Sequence, residues 1–320
     1  MSPGDGAPGE GEAWLFPGQG AQYMGMGREL LARWPRAREL FERAEALSGL
    51  PLRQLCMRGP AEQLRRPEVL EPALAAISLA HADRLHALRG PPRYVAGYSA
   101  GEVVALCCAG VLTEEDTLRV AVLRGRLLQR AADSLTGRMV SIAGLPLSVL
   151  GALVADSGPP EALALAGLNA PDHGTVSGRP EFVRAVEARV HALGAQVSEV
   201  DVAGPWHSPL VAHLVREVLD VLGSFRFLPP RLPLYSSVTG SREEDPWRIR
   251  VLLAEQVARP VRWHPLAAEL LRRANTLLEV GPGHFLSGIV RRAAGTSHSR
   301  EIRAVERPGG SLWPKSVLHG

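Results

Sequence analysis

The chain has 320 residues, 46% of them hydrophobic, and a formal net charge of +3 at pH 7. That length suits one large domain with a subdomain, or two domains, with enough apolar side chains for a full core. The small net charge and 5% aromatic content exclude a polyanion-binding or base-stacking protein on bulk grounds, and no apolar run approaches the ~18 residues of a membrane span, so neither nucleic acid nor membrane is expected as a partner.

Residues 1–12 are rich in Gly, Pro and acid, lack the basic-plus-apolar pattern of a leader, and read as a disordered tail. Trp14 to Phe16 reads as a short buried strand, followed by the loop Pro17-Gly18-Gln19-Gly20. Gly27 to Ala46 carries Leu30, Leu31, Trp34, Ala37, Leu40, Phe41 and Ala44 at helical spacing. A second helical pattern runs from about Glu71 to Leu88 and ends at Gly90-Pro91-Pro92. Tyr94 to Ala96 is strand-like, and a helix is expected through Ala109. Thr113, followed by Glu114, Glu115 and Asp116, opens another helix to about Ala132.

The texture changes between Gly137 and Gly204. Strands are expected at Met139 to Ala143, Ala162 to Leu168, Gly174 to Ser177 and Val197 to Val202, with helices at Leu147 to Ala155 and Pro180 to Leu193. That β-α-β-β-α-β order is the split ferredoxin-like arrangement, here an inserted subdomain over residues 137–203. Residues 13–136 and 204–307 form the larger α/β part, and 308–320 a loose C-terminal tail. In the larger part a helix is expected at Ser208 to Leu222, a strand at Leu234 to Ser236, helices across Trp247 to Gln256 and Leu266 to Ala274, and a strand at Thr276 to Val280 before Gly281-Pro282-Gly283. Strands alternating with helices imply a parallel sheet. Cys56, Cys107 and Cys108 form neither a disulfide framework nor a metal spacing, which points to core packing, no metal and a reducing, cytoplasmic setting.

Gly97-Tyr98-Ser99-Ala100-Gly101 carries the chemistry. A G-x-S-x-G between a strand and a helix is a nucleophile elbow, a turn so tight that its serine hydroxyl is pushed out beside a helix N-terminus. Such a serine needs a base. His81, His86 and His191 fall among charges on helical patterns and read as surface residues; His298 and His319 lie in polar, tail-like sequence. His207 follows a strand and precedes a helix, where active-site residues concentrate, and a neutral imidazole there could take the Ser99 proton. The arginine groups at 124, 126 and 130, 272 and 273, and 291 and 292 read as solvated faces that would suit an acidic protein partner.

Phe16-Pro17-Gly18-Gln19-Gly20-Ala21-Gln22 and Gly97-Tyr98-Ser99-Ala100-Gly101-Glu102 resemble motifs of malonyl-CoA:acyl-carrier-protein transacylases and polyketide-synthase acyltransferase domains. Arg124-Gly125, Asn169-Ala170-Pro171, Gly204 to Ser208, Gln256 to Trp263 and Glu279 to Gly283 follow in that family's order, so the resemblance spans about Trp14 to Arg292. It implies an α/β-hydrolase-like large part with the ferredoxin-like insert. It implies Ser99 as nucleophile, His207 as base oriented by a main-chain carbonyl near Gln256, and the N–H groups of Gln19 and Ala100 as oxyanion donors. Arg124 would pair bidentately with the free carboxylate of a malonyl group, a fit lysine cannot copy. Asn169, Trp206 and Tyr98 would contact substrate; Tyr98 stands where histidine is usual, and the Trp206 ring favours malonyl over methylmalonyl. The implied partners are an acyl-CoA donor and an acyl carrier protein whose phosphopantetheine thiol accepts the acyl group, with no bound cofactor. A carrier-proofreading hydrolase, a malonate decarboxylase malonyl transferase subunit, a trans-acting polyketide acyltransferase for another acyl unit, and a non-catalytic docking module are the competing readings.

Overall fold

A computed structural model of the chain describes residues 11–295, 299–308 and 310–311. Strand β1 (Glu12–Phe16) is buried on both faces: Ala13 and Leu15 enter one core, Trp14 and Phe16 another, as the two-residue period of a strand requires. Strand β2 (Tyr94–Gly97) repeats the division, with Val95 on the Trp14 side and Tyr94 and Ala96 on the other. The remaining strands are β3 (Arg138–Ala143), β4 (Leu163–Ala170), β5 (His173–Gly178), β6 (Gln196–Glu199), β7 (Leu234–Ser236), β8 (Ser241–Glu243), β9 (Thr276–Glu279), β10 (Glu301–Ala304), and the short antiparallel pair β11 (Glu306–Arg307) and β12 (Gly310–Ser311).

The large sheet runs β10-β9-β1-β2-β7-β8 and is parallel except for β8, which returns antiparallel to β7. The second sheet, β4-β5-β3-β6, is antiparallel. Its helices Leu147–Ala155 and Pro180–Ala192 close a third core, where Leu150, Val183, Val186 and Val190 meet Val140, Ile142 and Val176. The α/β architecture with a ferredoxin-like unit is therefore present as the sequence implied. The two sheets are joined through β4: Leu168 N–H donates to the Val261 carbonyl and Val261 N–H to the Ala166 carbonyl, both at 2.8 Å.

Several elements differ from the expectation. The pattern over Gly27 to Ala46 forms two helices, Arg28–Arg33 and Pro35–Ser48, because Pro35 has no N–H to continue the first and leaves Trp34 extended at φ −118°. The helix expected from Ser208 is a 3₁₀ turn, Pro209–Val211, and then a helix, Leu214–Leu222. The strand expected at Val197 to Val202 ends at Glu199, with one more bond to β3 from the Val200 N–H to the Met139 carbonyl. Strands β8 and β10 and the helix Phe285–Ala294 were not anticipated. The ordered chain takes in Glu12, whose carbonyl accepts the Arg93 N–H; residues 1–10, His298, His319 and most of the 308–320 tail lie outside the described residues.

His81 is a correction: it is buried at 1% exposure, with Nε2 2.8 Å from the Glu306 carboxylate. Its helix, Pro67–Arg89, is packed on nearly all sides, so charge density along the sequence misjudged its exposure. The three cysteines are free thiols. Among the described residues no helix is long and apolar enough to cross a membrane, and no group of three His, Cys, Asp or Glu side chains could hold a metal ion.

Candidate active site

The register of the large sheet assembles the site. Parallel pairing sets Phe16 opposite Gly97, so the loop after β1 and the turn after β2 leave the sheet side by side, with Gly18 against Ser99 and Ala100. Gly101 N–H donates to the Tyr98 carbonyl and Glu102 N–H to the Ser99 carbonyl, closing the turn into the helix Gly101–Cys108. A Cβ on Gly101 would lie 2.1 Å from the Phe16 carbonyl oxygen, so the turn can approach β1 only with glycine there. Ser99 is held at φ 51°.

His207 sits on the loop after β6, its N–H fixed to the Val257 carbonyl at 2.8 Å, and has φ 59°. Among the described residues, Ser99 and His207 are the two non-glycine residues with positive φ. Such backbone strain concentrates where function over-determines the geometry. The same two side chains meet, with Ser99 Oγ 2.9 Å from His207 Nε2. His207 Nδ1 faces two carbonyl oxygens, of Gln256 at 2.8 Å and Arg259 at 3.1 Å. Two acceptors on Nδ1 require the proton there, which leaves Nε2 as the acceptor for the Ser99 hydroxyl. Burial lowers the His207 pKa to about 4, against the opposing pull of the two carbonyls, so the ring is neutral at neutral pH.

Behind the imidazole lies a buried polar chain. Gln256 Nε2 donates to Glu102 Oε2 at 2.5 Å, and Ser237 Oγ donates to the same oxygen at 2.6 Å. Gln256 Oε1 accepts from Arg124 Nη2 at 3.3 Å, and Arg124 Nη1 donates to Glu71 Oε1 at 2.5 Å. The Gln256 side chain is thus held at both ends while its main-chain oxygen faces His207. Burial pushes the Glu102 carboxyl up, and the Ser237 and Gln256 donors pull it back.

A cleft of about 630 Å³ opens over Ser99 and His207, walled by Gln19, Tyr98 and Trp206, by strands of the small sheet, and by His284, Phe285 and Ile289. The Tyr98 ring packs edge-on against Trp263 and Phe285, each with centroids 5.4 Å away, and its hydroxyl donates to Asn169 Oδ1. Arg124 is buried but is not part of the cleft wall; Glu71 and Gln256 hold it. Of the arginine groups, Arg292 reaches the cleft rim and pairs with Asp172 at 2.6 Å.

The acyl transferase domain family matches residues 13–304. The chain belongs to the acyl transferase family. It is 32% identical to the malonyl CoA-acyl carrier protein transacylase of Salmonella typhimurium over 288 residues, covering 89% of this chain and 93% of the relative. The crystal structure of the malonyl-CoA:acyl carrier protein transacylase of Xanthomonas oryzae superposes with a TM-score of 0.86 at 30% identity, covering 93% of this chain and 95% of the other. A malonyl-transacylase solved with a type II polyketide-synthase acyl-carrier protein gives a TM-score of 0.85 at 30% identity, covering 92% and 95%.

In this acyl transferase the dyad geometry suits nucleophilic attack by a serine with an adjacent neutral base. Ser99, His207, Gln19, Tyr98 and Trp206 all line the cleft; Asn169 stands one hydrogen bond behind it through Tyr98, Gln256 one behind it through His207, and Arg124 behind Gln256. Sequence reasoning missed Glu71, the Ser237 bond to Glu102 and the helix Phe285–Ala294. An acid inside the apolar run Leu70 to Ile77 was the signal for Glu71. Phe285, Leu286, Ile289 and Val290 at helical spacing were the signal for the helix, which begins where Leu286 and Ser287 N–H donate to buried Glu279.

Proposed function

We propose that this acyl transferase moves a malonyl unit from coenzyme A to the phosphopantetheine thiol of an acyl carrier protein, serving fatty-acid or polyketide assembly. The observation that carries the reading is the Ser99–His207 pair with Nδ1 turned to the Gln256 carbonyl. The malonyl and carrier assignments are supported by relatives named for that reaction.

In the first half, Ser99 Oγ attacks the thioester carbonyl as its proton passes to His207 Nε2. The oxyanion is received by N–H groups of Gln19, beside the turn, and Ala100, at the helix N-terminus. Collapse breaks the C–S bond, and His207 returns the proton to the departing coenzyme A sulfur. In the second half the carrier thiol gives its proton to His207 and attacks the Ser99 ester, and the proton returns to Ser99 Oγ. The acyl group arrives on coenzyme A and leaves on the carrier, so the cycle needs no resident cofactor. The Gln256 and Arg259 carbonyls stabilise the transient imidazolium, the role a carboxylate has in a triad.

Intact mass measured after incubation with malonyl-, methylmalonyl-, acetyl- and longer acyl-CoA tests the substrate. A malonyl adduct absent from Ser99→Ala is expected. No adduct from any dicarboxylic acyl-CoA would overturn the reading.

A further inference from the structure

Glu71 lies in the second turn of the helix Pro67–Arg89, inside an apolar run, and is 2% exposed. The helix Glu114–Ser134 presses against it at Gly125, where a Cβ would lie 2.6 Å from the Pro67 carbonyl, and so brings Arg124 alongside. Glu71 Oε1 takes the Nη1 prong of that guanidinium at 2.5 Å, and Gln256 takes Nη2. Gln19, on the cleft wall, lies close enough to Glu71 to pull its carboxyl down against the upward push of burial. Two buried polar atoms in this cluster, Arg124 Nε and Glu71 Oε2, have no partner among the described residues.

We propose that Glu71 is a specificity-determining residue: it occupies and neutralises Arg124, so the chain separates carboxylated from uncarboxylated acyl thioesters only weakly. An acyl carboxylate reaching for the guanidinium must displace Glu71 from Nη1 or stand beside it as a second negative charge in a poorly solvated site. Either opposes the bidentate pairing that makes a free arginine selective. An acyl chain without a carboxylate meets no such opposition. The inference rests on the acyl-CoA loading reaction proposed above and adds the residue that tunes its substrate range.

The test compares kcat/KM for Ser99 acylation by malonyl-CoA and acetyl-CoA in the native chain and in Glu71→Gln. Glutamine keeps the shape and an acceptor for Nη1 but removes the charge. The malonyl-to-acetyl ratio is expected to rise by about tenfold or more, the order set by removing one like-charge contact, mainly through a lower KM for malonyl-CoA. Glu71→Ala should move the ratio the same way. An unchanged or lower ratio in the folded variants overturns the proposal, as does failure of both to fold, which would make Glu71 purely structural. Failure of the loading reading looks different: neither protein forms a malonyl adduct, while acetyl or longer acyl adducts still form. Malonyl loading that appears only in Glu71→Gln supports the role of Glu71 and overturns malonyl as the native unit.

Discussion

The Tyr98 hydroxyl donates to Asn169 Oδ1 at 2.9 Å, a bond from the turn that carries Ser99 to strand β4 of the small sheet. Asn169 in turn donates to Thr175 Oγ1 on β5 at 3.0 Å. The residue that departs from the usual histidine of the motif thus ties the two sheets together next to Ser99.

Tyr98→Phe keeps the ring against Trp263 and Phe285 but leaves buried Asn169 Oδ1 without its donor. A loss of about 1–3 kcal/mol is expected, the penalty of one buried unsatisfied acceptor. Urea unfolding should show a lower midpoint at unchanged slope, with Ser99 acylation retained.

His207 sets the pH dependence. Burial holds its pKa at about 4, below the ordinary 6.5, so the basic form persists through mildly acidic conditions. Single-turnover acylation should stay flat down to about pH 5 and fall roughly tenfold per pH unit below about 4. The linkage has the same sign: the unfolded chain binds this proton first. His207 therefore contributes stability that is complete above about 6.5 and lost as pH falls through about 4, about 3 kcal/mol in all. His207→Gln should flatten that part of the stability curve.

Gln256 acts on His207 through its main chain. Gln256→Ala keeps the carbonyl and removes the side-chain contacts to Glu102, Ser237 and Arg124. Acylation should slow by about tenfold or less, whereas His207→Ala should lose on the order of 10²–10⁴. Stopped-flow release of coenzyme A separates the two cases; equal losses would put the side chain, not the carbonyl, in the orienting role.

Arg124→Ala strands the Glu71 carboxylate in the core. Breaking such a buried pair is expected to destabilise by about 3–5 kcal/mol, while the double change Glu71→Met with Arg124→Met should recover most of it. Denaturant titration of the single and double variants gives this directly.

Local signals carried much of the fold and part of the site. The alternation in Trp14 to Phe16, the Thr113 cap, which accepts the Asp116 N–H, and the strand order of residues 137–203 were legible because each rests on neighbouring residues. The G-x-S-x-G turn and the loop histidine were legible for the same reason. What escaped depends on packing between distant segments. Glu71 meets Arg124 across 53 positions and His81 meets Glu306 across 225, and no periodicity announces either pair. Strand β8 has only three residues, too few for alternation to show. The helix Phe285–Ala294, with Gly288 inside it, was masked by the glycines of the preceding loop.

The most direct test follows a malonyl group through Ser99. The enzyme is loaded with malonyl-CoA, freed of coenzyme A and mixed with a holo acyl carrier protein, and both proteins are weighed by mass spectrometry. The malonyl mass should leave the enzyme and appear on the carrier thiol faster than free malonate accumulates, and Ser99→Ala should carry none. Release to water alone with no malonyl-carrier formed, or an undiminished adduct in Ser99→Ala, would contradict it.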